Sequence, residues 1–209
     1  MIKEACVETF EEALRAEKNG ADRIELCSDL KNDGLTPSFD LMGKTISGLN
    51  IPIMVMIRPR AGGFVYSEIE IKKMKSEIDL AKKAGASGIV LGLLTKDNKI
   101  DTKNTAILCE YAKPLPVTFH KAIDNMENPV HAVQILKRIH GIKRILTSGG
   151  QATALEGKNT LVKMIETAGK QIEIIVAGKV TDKNINALNR LTGANEFHGR
   201  KIVGELNSP

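Results

Sequence analysis

Two thiols, two thioethers and a handful of charged side chains carry the chemistry in this sequence. Cys6 and Cys27, together with Met54 and Met56, are soft donors of the kind that suits Cu(I). Glu25 and His120 can each move a proton, and His198 can assist. Arg58 and Arg60 lie two residues apart, a spacing that can clamp an anion. Thr147-Ser148-Gly149-Gly150 and Ala177-Gly178-Lys179-Val180 are short Gly-containing stretches whose backbone N–H groups can also face an anion. Each group has a plainer explanation. A free cysteine is commonly a small buried hydrophobe, inward charges can form a structural ion network, and Gly pairs can be tight turns. Placement decides between these.

The elements that place them repeat one unit, a short apolar run followed by a loop and a helical pattern. Strands are expected at Ile2–Val7, Arg23–Cys27, Ile53–Ile57, Gly88–Leu93, Pro116–His120, Arg144–Leu146, Glu173–Ala177 and Glu196–His198. Helices follow from Thr9, Ser38, Glu68, Thr102, Pro129, Asn159 and Thr181. Thr9 with Glu12 reads as a capping box, and Gly20 as a stop. Eight such units predict one domain over residues 1–209, a TIM (β/α)8-like parallel barrel. Eleven residues follow the last strand, so the eighth helix is short or missing. The rival fold, a doubly wound sheet, lacks its G-x-G-x-x-G after the first strand.

Strand alternation then assigns faces. Ala5, Val7, Ile24, Leu26, Ile53, Val55, Ile57, Val117, Phe119 and Phe197 face the helices. That turns Glu4, Cys6, Glu25, Cys27, Met54, Met56, Arg58, Thr118, His120, Glu196 and His198 inward. For strands six and seven alternation does not decide the faces. An interior of Glu, Arg, Cys, Met and His is unlike the Val, Ile and Leu that usually fill such a barrel. Buried polar groups must pair, and Glu25 with Arg58, and Glu196 or Glu4 with His198, are the expected pairs.

Composition narrows the classes. No apolar run reaches the ~18–20 residues of a membrane span, and the first residues lack a signal peptide's apolar core. Three cysteines point to a reducing compartment rather than a disulfide framework. A net charge of +5 is spread along the chain, and aromatics are 3% with no Trp, which gives nucleic acid few stacking platforms.

Several stretches together resemble one family. Gly20-Ala21-Asp22-Arg23-Ile24-Glu25-Leu26-Cys27, Gly34-Leu35-Thr36-Pro37-Ser38, Met56-Ile57-Arg58-Pro59-Arg60, Thr118-Phe119-His120-Lys121-Ala122 and Leu146-Thr147-Ser148-Gly149-Gly150 occur in the order seen in the CutC family of copper-homeostasis proteins. The resemblance runs from the first strand to Glu196-Phe197-His198-Gly199. It implies a TIM-like barrel, a cytoplasmic location, a role in copper homeostasis and a copper-binding candidate at Cys6 and Cys27. Lys121 departs from the Arg expected after the strand-five His. The loop after strand seven is shorter and less Gly-rich than the family's.

Three expectations follow. The first is Cu(I) binding through Cys6 and Cys27. The second is a barrel enzyme acting on a small phosphate or carboxylate. It would use Glu25, Arg58, His120 and His198 for catalysis, and Arg60, Ser148, Gly149 and Gly150 for the anion. The third is a scaffold whose polar interior is structural. A barrel flank left bare by the missing helix would favour a homo-oligomer contact.

Overall fold

The computed structural model describes residues 1–206. Eight strands close a parallel barrel in sequence order, each paired with the next and the last with the first. They are β1 Ile2–Val7, β2 Arg23–Leu26, β3 Ile53–Met56, β4 Gly88–Leu91, β5 Val117–Phe119, β6 Ile142–Thr147, β7 Glu173–Val176 and β8 Glu196–Gly199. Seven helices alternate with them: α1 Phe10–Lys18, α2 Phe39–Gly48, α3 Glu68–Ala84, α4 Thr102–Ala112, α5 Pro129–Leu136, α6 Lys158–Ala168 and α7 Ile185–Thr192.

Local chemistry sets most helix starts. Ser67 caps α3 and closes a full capping box with Glu70. Thr9 caps α1 by accepting from the Glu12 N–H, but the Glu12 carboxylate reaches the Glu8 N–H instead, so only half of the expected box forms. α7 starts at Ile185, later than the expected Thr181, because Thr181 pairs with Lys201 and its N–H is taken by the Asn184 side chain. β6 starts two residues early, at Ile142.

Alternation along the strands separates two cores. Ala5, Val7, Ile24, Leu26, Ile53, Val55, Ile57, Val117, Phe119 and Phe197 pack outward with the helices. Cys6, Cys27, Met54, Met56 and Val90 cluster separately inside the barrel. Leu146, Ile175 and Ala177 form a further apolar group, which explains why alternation leaves the faces of β6 and β7 undecided.

No helix follows β8 among the described residues. The chain itself covers that flank. Ile202, Val203 and Leu206 are buried in the main core, the Asn19 amide donates to the Val203 carbonyl, and Arg15 donates to the Leu206 carbonyl. The expected bare flank is therefore absent. No described helix is long and apolar enough to cross a membrane.

Candidate functional site

Parallel register sets the site. Cys6 lies opposite Glu25 and Glu4 opposite His198, which brings β8, β1 and β2 together around one polar cluster. His198 sits between two carboxylates. Its Nδ1 is 3.0 Å from Glu4 Oε1 and its Nε2 is 3.6 Å from Glu25 Oε2. The Cys27 Sγ lies 3.6 Å from Glu25 Oε2. Sulfurs of Cys6 and Cys27 and a Glu25 oxygen all fall within 4.8 Å of one another.

Charge is distributed unevenly in this cluster. Burial alone would push the Glu4 carboxyl up, but the His198 hydrogen bond and the Arg23 guanidinium overcome it and hold it at about 2. The hydrogen bond from Cys27, helped against burial by His198, lowers the Cys6 thiol to about 5. Donation to Cys6 and burial push the Cys27 thiol well up. Burial also raises Glu25. His198 rises despite burial, because Glu25, Cys6 and Glu4 all favour its imidazolium. The cluster thus favours a thiolate at Cys6, a cation at His198 and a carboxylate at Glu4, while burial works against the charge on Glu25.

Above it, at the C-terminal end of the strands, opens a cavity of about 900 Å³. Cys6, Glu25, Met56, Arg58, His120, Gly150 and His198 line it. Cys27 lies behind this wall, 1% exposed. Barrel active sites sit at this end.

The expected partners differ in three places. Arg58 does not pair with Glu25; its guanidinium donates to the carbonyls of Asn32, Gly34 and Gly62. Of the two acids expected beside His198, Glu4 holds it as expected, while Glu196 binds Arg23 at the opposite end of the barrel. The expected anion cradle is already filled. Asp124 accepts from the N–H groups of Ser148 (3.0 Å) and Gly150 (2.9 Å) and from the hydroxyls of Thr147 and Ser148. The Gly149 N–H goes to Thr147 Oγ1. Arg60 is not on the cavity wall; it binds Glu70 and the carbonyls of Gly63 and Val65, closing its own loop.

Asp124 is the residue that the sequence did not single out. It sits on a short turn after β5 and reaches 23 to 26 residues ahead. Arg23 was also passed over, although alternation with Glu25 places it inward; it binds Glu4 and Glu196. Cys109 lies in the outer core and His131 is exposed, both away from the site.

The model of the CutC family matches residues 1–203 of this chain. The chain belongs to the CutC family. A human copper homeostasis protein cutC homolog is 44% identical over 197 residues, 94% of this chain and 72% of that protein. A CutC protein of Pasteurella multocida is 40% identical over 195 residues, 93% of this chain and 80% of that one. The crystal structure of a CutC protein from Streptococcus agalactiae superposes with a TM-score of 0.92 at 32% identity, covering 97% of this chain and 99% of that one. The CutC barrel, with its seven helices, is thus the setting in which the cysteine cluster and the cavity occur.

Proposed function

We propose that this chain is a cytoplasmic copper-homeostasis protein that binds Cu(I) through Cys6 and Cys27. The observation that carries the reading is the pair of sulfurs within 4.8 Å of each other, in a cluster with Met54 and Met56. The residues fit the ion. Two metal–thiolate bonds of about 2.3 Å, the zinc value, span about 4.6 Å end to end, and thiolates and thioethers favour Cu(I). The lowered Cys6 thiol provides one thiolate, and metal binding would displace the Cys27 proton. The names of the relatives, and three free cysteines that fit a reducing compartment, support the same reading. The test is an anaerobic Cu(I) titration against a calibrated chelator, comparing wild type with Cys6→Ser/Cys27→Ser. Tight binding lost in the double variant is expected; negligible or unchanged binding rejects the reading.

The cavity favours a second reading, a barrel enzyme acting on a small anionic compound. His198, clamped between Glu4 and Glu25 at the cavity floor, is built to exchange a proton with a bound molecule. A thermal-shift and turnover screen of phosphorylated and carboxylated metabolites tests it. A hit that Arg58→Ala abolishes supports it, and an inert protein across the library rejects it.

A further inference from the structure

Arg58 has no role in the cysteine cluster, and its surroundings are unusual for a buried cation. It is 3% exposed, and its guanidinium donates to the backbone carbonyls of Asn32, Gly34 and Gly62, with the Tyr66 hydroxyl beside it. Among the described residues it forms no ion pair with a carboxylate, and its Nε–H has no partner at all. A buried charge is ordinarily neutralised by a counter-ion. Here none is supplied by the chain.

His120 adds a second donor. Its Nδ1 accepts from the Ala122 N–H at 3.1 Å, so the ring hydrogen is on Nε2, and Nε2 is buried without a partner. The Phe64 ring joins the two groups. Its centroid is 4.9 Å from the His120 ring and 5.1 Å from the Arg58 guanidinium carbon. Glu25 Oε1, on the wall of the same cavity, is a third buried atom without a partner, and it accepts rather than donates. The residues that bear these two donors, one of them cationic, and this one acceptor all belong to the wall of a single cavity.

Asp124 narrows the class of ligand. The backbone amides that would grip a phosphate already bind its carboxylate. That carboxylate also lines the cavity, paired with Lys121 at 2.6 Å, so the Ser148 and Gly150 amides are not free for a phosphate. We propose that the cavity binds a small hydroxy-carboxylate, its carboxylate against Arg58 and His120 and its hydroxyl donating to Glu25. The inference deepens the enzyme reading and rests on it for the cavity being a ligand site.

The test is a titration of the full chain with glycolate and with malate, against inorganic phosphate as contrast. The Arg58 Nε–H signal in nitrogen–proton correlation spectra is the readout. Saturable shifts with a hydroxy-carboxylate and none with phosphate are expected. His120→Phe, which keeps a ring and removes the donor, weakens the binding by about tenfold or more. Arg58→Met, followed through the His120 ring signals, abolishes it. No shift with either acid, or phosphate binding as well as they do, overturns the proposal. Saturable binding without turnover removes the enzyme reading and leaves the proposal standing. Turnover of a compound that lacks a carboxylate does the reverse.

Discussion

His120 shows how one side chain can be read from both its bonds and its titration. Burial, and then the Arg58 charge, hold its pKa at about 3, against an ordinary value of 6.5. The unfolded chain therefore binds a proton that the folded chain refuses anywhere between those two values. By linkage, the stabilisation is full above about pH 6.5 and is lost as pH falls toward 3. His198 works in the opposite sense. Its folded value is raised, so its contribution is present at low pH and lost as pH rises through that value. Replacing His120 by Gln should flatten the loss of stability between about pH 6 and pH 4 seen by urea denaturation. An unchanged profile would show that His120 is not held neutral. The sequence marked His120, Arg58, Glu25 and His198 as a set because alternation turned all four inward. It did not reveal their partners. Glu25 and Arg58 are on neighbouring strands and opposite in charge, yet the loops at Asn32, Gly34 and Gly62 provide enough carbonyls to hold the guanidinium without an acid.

Elements were legible where their two faces differ. β1, β2, β5 and β8 set polar against apolar side chains and β3 sets Met against Ile and Val, and their inward residues emerged from those patterns. β6 and β7 carry Leu146 and Ile175 inside and Ile145 and Ile174 outside, so periodicity had nothing to separate. The turn after β6 was legible as Gly-rich but not as occupied, because Asp124 lies far away in sequence on another loop. Gly149 and Gly150 have φ of 72° and 73°, and Gly157 leaves no room for a Cβ, which would lie 1.9 Å from the Ser148 carbonyl oxygen. The turn is thus shaped by glycines and held by one carboxylate. Asp124→Ala should leave the Ser148 and Gly150 amides without partners and cost about 3 kcal/mol, since each orphaned donor costs about 1–3 kcal/mol. Asp124→Asn, which keeps one acceptor oxygen, should cost less. Chemical denaturation of both variants checks the order, and equal losses would mean that side-chain volume rather than the carboxylate holds the turn.

Across the whole molecule, the two ends of the barrel have different tasks. The N-terminal end is closed by a network in which Arg23 binds Glu4 and Glu196, and Arg144 lies 3.6 Å from Glu196. The other end carries the cavity. Removing one member of a buried ion network strands the rest, so Arg23→Met should cost about 3–5 kcal/mol in urea denaturation; a loss below about 1 kcal/mol would show that the network is solvated or dispensable. The barrel wall raises a separate demand. Among the described residues seven α-helices cover eight strands, and the remaining flank must exclude water by other means. Ile202, Val203 and Leu206 do so from a segment without helical structure, tied to α1 through Arg15 and Asn19. Ile202 is 1% exposed, so the segment behaves as core rather than as a tail. Truncating Ile202 to Ala should therefore cost about 2–5 kcal/mol, the range for a buried aliphatic. The exposed Leu191, at 47%, is the internal control on α7, and Leu191→Ala should change stability by about 0.5 kcal/mol or less. If both substitutions were equally mild, the segment would lie on the barrel without sealing it, and the bare flank would again need a partner.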